Sequence, residues 1–196
     1  MNSIRFSIRE EIQTMDLKQK RLSSDYKYKG KILNLRVDQA EMPDGQTVER
    51  EVVEHHGGVG IAMEDNEGKF FLVTQYRYAQ EKVMIEFPAG KMEMHEDPLV
   101  TAKREIAEET GYAGKDFMYL GQMVPTGAYD TEVIHMYYAR MGEYTGQKLD
   151  SDEFLNVSRM TLREIMDACI DMTIDDGKTL AMIFLISQMK ERGLLK

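Results

Sequence analysis

The sequence predicts an α+β fold, and three observations carry that reading. Short alternating or apolar runs bounded by turn residues recur from residue 21 to residue 140. One helix-patterned segment, residues 98–110, interrupts them. Two amphipathic helical stretches, 161–169 and 178–192, follow. Strands enclosing one helix, with further helices after them, pack as a sandwich around one core.

The elements follow in order. Residues 1–14 are polar and form an N-terminal extension, at most a frayed helix, and Met15 opens a new segment. Residues 15–56 read as an antiparallel β-meander: SSDYKYKGKILNLRVDQAEM alternates, Pro43-Asp44-Gly45 turns, and TVEREVVEHH returns. A meander of this size is not expected to stand alone. It should pack on the remainder of the chain or on a second subunit, and it is set apart here as a sub-domain. Gly57-Gly58 breaks the strand and opens the main domain, residues 57–196. VGIAM (59–63) and KFFLVTQYRYA (69–79) are strands around the turn Asp65-Asn66-Glu67-Gly68. Residues 117–124 and 131–140 read as further strands, and LDSDEFLNV (149–157) as an acidic loop running into a strand.

Composition excludes several function classes. The net charge of −9 argues against a nucleic-acid partner, because a binder of phosphate backbones should be basic. A single cysteine, Cys169, rules out a disulfide framework within the chain and suits a reducing cytoplasm. No apolar run approaches the length of a membrane span, and residues 1–20 lack the apolar core of a signal peptide. The four histidines show no zinc-ligand spacing.

The chemistry concentrates in residues 90–112, GKMEMHEDPLVTAKREIAEETGY. Asp97 is placed to cap a helix, Pro98 to begin it and Gly111 to end it. On that helix Glu105, Glu108 and Glu109 share a face with Thr101, while Leu99, Ala102, Ile106 and Thr110 form the packing side. Clustered carboxylates repel one another unless hard cations sit among their oxygens, and Mg²⁺ or Mn²⁺ prefers such ligands. Gly90, upstream in Pro88-Ala89-Gly90, leaves room for close backbone approach to a metal or phosphate.

Gly90, Glu96, Arg104, Glu105, Ile106, Glu108, Glu109, Gly111 and Tyr112 fill every position of G-x5-E-x7-R-E-U-x-E-E-x-G-U, where U is bulky and apolar. A chance match is on the order of 10⁻⁷ from ordinary residue usage. The chain therefore resembles the Nudix hydrolases. Further stretches are similar to the ADP-ribose pyrophosphatase branch, among them EREVVEHHGGVGI, QYRYA, IEFPAGKME, PTGAYDTEVIHMYYA and LDSDEFLNV. The resemblance implies the Nudix fold, an α/β/α sandwich with a mixed sheet, preceded by the N-terminal antiparallel meander. It also implies a homodimer formed through the N-terminal sub-domain.

The implied activity is hydrolysis of ADP-ribose or a related ADP-sugar to AMP and a sugar phosphate, dependent on Mg²⁺ or Mn²⁺. Another nucleoside diphosphate sugar such as GDP-mannose, or nucleotide sensing without cleavage, are the alternatives. By matched position, the Ala89 carbonyl, Glu105 and Glu109 would hold metal. Glu153 and Glu108 are the catalytic candidates: Glu153 as the base in the loop after the last strands, alone or with Asp150 or Asp152, and Glu108 as a ligand or adjacent acid. Arg104 and Glu96 would brace the loop against the helix. Arg50, Glu54, Arg77 and Glu132 would contact substrate. Glu86 would hold water or metal, or be a buried hydrogen-bonded acid. Pro125 follows Gly111 at slightly shorter spacing than the branch usually shows, which leaves substrate identity open.

Overall fold

The structure is a computed structural model and describes residues 16–151 and 153–195. The 1–14 extension and Asp152 lie outside the described residues. The chain divides into two compact units between Glu54 and His55.

The N-terminal unit is a three-stranded antiparallel sheet of β1 (Lys20–Lys29), β2 (Leu33–Glu41) and β3 (Thr47–His55), in that spatial order. The β2–β3 turn is the one anticipated at Pro43-Asp44-Gly45. Gly45 takes φ 84° there, its N–H donates to the Met42 carbonyl at 2.9 Å, and the Asp44 carboxylate accepts from the Gln46 N–H at 3.0 Å. All of β1 is exposed, whereas Arg36, Asp38 and Ala40 mark a buried face on β2. That face is ionic: Arg36 pairs with Asp38 and reaches Glu54 at 2.7 Å.

The second unit is built on a seven-stranded mixed sheet. Its strands are β4 (Gly58–Glu64), β5 (Lys69–Arg77), β6 (Lys82–Glu86), β7 (Ala89–Lys91), β8 (Tyr112–Met123), β9 (Ile134–Tyr144) and β10 (Leu155–Thr161). The main order is β10-β5-β4-β9-β8. Strand β4 runs parallel to β9 and is buried along its whole length, as a continuous apolar run in a doubly covered sheet should be. Helix α1 (Pro98–Thr110) covers one face; α2 (Leu162–Ile170) and α3 (Gly177–Glu191) cover the other.

Strand alternation sorts the core into two layers. Val59, Ile61, Met63, Phe71, Tyr137 and Ala139 meet Ala102 and Ile106 of α1. Ala62, Phe70, Leu72, Met136 and Tyr138 meet Ile165, Met182, Ile183 and Ile186. Full burial of a residue such as Ile106 contributes about 1.5–3 kcal/mol. No helix of the described residues is long and apolar enough to cross a membrane.

A fork in the sheet prepares the site. Strands β4 and β5 pair at Glu64↔Phe70 and then part. β6 takes the edge of β5, and β7 takes the edge of β4 from Gly58↔Lys91 to Gly60↔Ala89. Phe87-Pro88 crosses between them, with the Pro88 carbonyl accepting from the Ile61 N–H at 2.8 Å. Neither short strand was anticipated from sequence. Strand β8 begins at Tyr112 rather than 117, directly after the helix, and β9 spans Ile134–Tyr144 rather than 131–140.

Candidate active site

Helix α1 begins and ends where its sequence dictates. The Asp97 carboxylate accepts from the Leu99 and Val100 N–H groups at 2.9 and 3.3 Å, Pro98 is the first helical residue, and Gly111 closes the helix at φ 78°. A Cβ on Gly111 would press on the Tyr144 ring and the Gln147 amide, so glycine is required there for space as well as for φ.

The three helix acids fare differently from one another. Glu109 is 2% exposed, and Thr101, expected beside the acids, is fully buried with its hydroxyl donating to the Asp97 carbonyl. The carboxylate of Glu109 accepts the Ala89 N–H at 3.1 Å. Burial first, then the neighbouring charge of Glu105, pushes its pKa up to about 8; Glu153 and Glu86 push the same way. Burial likewise raises Glu105, against the opposing pull of Arg104. Glu153 also contributes to raising Glu105, so the loop acid and the helix acids share one electrostatic neighbourhood.

Arg104 ties the loop to the helix. It reaches Glu96 at 3.3 Å, Glu105 at 2.8 Å and Glu108 at 3.1 Å. Gly90 has a reason beyond backbone approach to a ligand: a Cβ there would fall within the Glu105 carboxylate. The acid therefore lies flat against the 89–90 backbone.

Of the other candidates of the second unit, Arg77, Glu86 and Glu153 are electrostatic neighbours of Glu109. Arg77 grips Glu86 with two parallel hydrogen bonds, 2.7 and 2.9 Å. Glu86 is buried and also pairs with Lys178, so it is a hydrogen-bonded acid whose oxygens are already committed. The Glu153 carboxylate accepts from the Asp150 N–H at 3.4 Å, folded back on its own loop. Glu132 lies 3.3 Å from His55 Nδ1. The remaining two candidates belong to the N-terminal unit. Arg50 contacts Gln19, the Glu49 carbonyl and Met42, and Glu54 accepts from Arg36 and Tyr26. Tyr26, Tyr28, Tyr76, Tyr78 and Tyr129 are all exposed.

Sequence reasoning missed the anchors behind the site. Gln147 Nε2 donates to the Glu109 carbonyl at 2.6 Å and the Lys148 N–H to the Glu108 carbonyl at 2.9 Å, which docks the base of the 149–154 loop on α1. At the start of α3, Asp176, Lys178 and Thr179 hold the strand that leads into Ala89. The signal available was a lysine in the first turn of an otherwise apolar helix, LAMIFLI following Lys178-Thr179.

The donor set fits a hard divalent ion. The buried carboxylate of Glu109 and the partly buried one of Glu105 face a backbone stretch, and among the described residues Arg104 pairs with Glu105 while no cationic side chain pairs directly with Glu109. Among the described residues no three acidic, histidine or cysteine side chains already surround one point. Such a sparse set leaves room for water and substrate phosphates in the shell of an ion of that kind.

Residues 54–182 match the NUDIX domain, and residues 20–53 match the nucleoside diphosphate sugar hydrolase N-terminal domain. The chain belongs to the Nudix hydrolase family. This Nudix hydrolase is 38% identical to a methanol dehydrogenase activator from Bacillus methanolicus, over 82% of this chain and 88% of that one. It is 33% identical to an ADP-ribose pyrophosphatase from Bacillus subtilis (strain 168), over 83% and 89%. Its fold matches a crystal structure of an ADP compounds hydrolase with a TM-score of 0.80 at 18% identity, covering 93% of this chain and 100% of the other.

Proposed function

We propose that this Nudix hydrolase cleaves the diphosphate of ADP-ribose or a related ADP-sugar, using Mg²⁺ or Mn²⁺. The observation that carries the reading is the buried Glu109, pushed up to about 8 beside Glu105 and, among the described residues, paired with no cationic side chain. An acid so placed is costly unless a cation joins it. The similarity to an ADP-ribose pyrophosphatase supports the substrate class.

In this reading the Ala89 carbonyl, Glu105 and Glu109 hold the ion. Bound there, it supplies charge withdrawal from the diphosphate and orientation of water. Glu153 takes the proton as water oxygen bonds to phosphorus and a phosphoanhydride P–O bond breaks, giving AMP and ribose 5-phosphate from ADP-ribose. Glu108 acts beside the ligands, its charge steadied by Arg104. Arg77 has donors left over from Glu86 and aims them at diphosphate oxygens. Arg50, Glu54 and Glu132 serve the nucleoside and sugar. The working form is a homodimer joined through residues 15–56, in the cytoplasm, without nucleic acid as a partner; the fully exposed β1 supports an unpaired surface there.

The test is direct. Incubation with ADP-ribose and Mg²⁺ should release AMP, chelation should stop it, and titration calorimetry should detect metal without substrate. Metal binding with no cleavage of any nucleoside diphosphate sugar would refute the reading in favour of a sensor. Sedimentation should report twice the 22.6 kDa chain mass. The likeness to a methanol dehydrogenase activator favours a second reading, in which the chain raises the turnover of a dehydrogenase; adding it to such an enzyme tests this.

A further inference from the structure

Lys178 is a buried cation, 6% exposed, with no part in the reaction described above. Its ammonium meets the Glu86 carboxylate and lies 2.9 Å from Asp176. Asp176 is the N-cap of α3 and accepts from both the Thr179 N–H (2.9 Å) and the Thr179 hydroxyl (2.6 Å). The same hydroxyl accepts the Phe87 N–H at 2.9 Å. The contacts close a ring: Asp176, Lys178, Glu86, the peptide into Phe87, Thr179, and back to Asp176.

That ring fixes the carboxylate on which Arg77 rests. Glu86 spends one oxygen on Arg77 Nε and shares the other between Arg77 and Lys178. Arg77 has five N–H donors in a rigid plane, so two bonds to a carboxylate that cannot turn set the direction of the rest. Without Lys178, the shared oxygen loses a charged donor, the carboxylate gains freedom to rotate, and the guanidinium turns with it. We propose that Lys178 is a positioning residue for Arg77, acting through Glu86 to hold the free edge of the guanidinium toward the substrate diphosphate. The inference rests on the reading that Arg77 meets that diphosphate.

A double-mutant cycle on ADP-ribose hydrolysis tests it, with thermal unfolding followed for every variant. An arginine that contacts the diphosphate before and during reaction contributes mainly uniform binding, so K178M should raise KM on the order of tenfold with kcat within about twofold. R77A should raise KM at least as much. The variant carrying both changes should be no worse than R77A, because the lysine acts only through the arginine. Multiplying effects, or an unchanged KM in K178M, would overturn the positioning role while leaving Arg77 in place. An unchanged KM in R77A would instead overturn the diphosphate contact, and the inference with it. Should K178M not be recovered folded, D176N enters the same cycle: asparagine keeps the helix cap but loses the charge that holds Lys178, and roughly a threefold rise in KM is expected on the same grounds.

Discussion

Buried acids sit at both ends of β4, and they are treated in opposite ways. At the Glu64 end, Glu64 is 3% exposed and meets Lys190 at 2.7 Å, the Tyr138 hydroxyl at 2.5 Å and Arg140 at 3.1 Å. Its neighbour Asp65 accepts from the Glu67 and Lys69 N–H groups and pairs with Arg159 at 3.3 Å. At the other end, where β7 replaces β5, Glu109 is as deeply buried but accepts one backbone N–H and, among the described residues, pairs with no cation. The protein neutralises the first pair internally. It leaves the second short of positive charge. Burial therefore does not separate the two ends; the completeness of local compensation does, and it makes Glu109 the candidate for function.

Substitutions at the two ends should separate accordingly. The largest effect is expected for Glu109→Gln: turnover falls on the order of 10²–10³, as when one preorganised electrostatic group is removed, while the metal-free protein melts no lower than wild type. Magnesium should raise the melting temperature of wild type, a linkage of about 2.7 kcal/mol at a hundred times Kd, and should no longer do so in E109Q. A normal magnesium shift in that variant would break the comparison. Gly90→Ala comes next. Its added Cβ displaces the Glu105 carboxylate, so turnover and metal affinity should drop roughly 10- to 100-fold, the range for disturbing a ligand's support.

Parts of this arrangement could be read from the chain, and the reason is locality. The limits of α1 follow from Asp97, Pro98 and Gly111 acting within a turn of themselves. The acid triplet follows from helical spacing. Strands β6 and β7 could not be read, because KVMIE and AGK carry little pattern of their own and are strands only through pairing with β5 and β4. Strand β8 starts early for the same reason: Gly114 and Asp116, the latter at φ 52°, are poor strand residues held in place by β9 across register shifts. The Lys178–Glu86 pair joins residues 92 positions apart, so no local signal reports it. Nor does helical spacing reveal that Glu109 is buried while Glu108 stays partly open; that depends on which side the 89–90 backbone arrives.

The Glu64 end should respond in stability and leave chemistry alone. Glu64→Gln removes the charge that faces Lys190 and Arg140, both of them partly exposed, so solvent softens the loss to about 1–2 kcal/mol. Turnover per folded molecule should match wild type. A fall in turnover as large as that of E109Q would erase the distinction between the two ends.

The smallest effect, and the one with a sign to check, belongs to Asp65. Burial acts to raise its pKa, but the Lys69 and Glu67 N–H groups and Arg159 outweigh burial and hold it below the usual carboxylate range. A folded-state pKa below the unfolded value of about 3.9 means that the unfolded chain binds the proton more readily. The stabilisation is thus complete above that value and disappears as pH falls through the lower, folded one. Asp65→Asn keeps a side-chain oxygen for the two backbone N–H groups and loses the titrating charge together with the acceptor for Arg159. Near neutral pH it should cost about 1 kcal/mol, the ordinary value of a hydrogen-bonded contact. Denaturant midpoints followed from pH 6 down to pH 3 should show the wild-type curve bending toward that of D65N at the acid end. Curves that stay parallel across that range would mean that Asp65 is not held by charge.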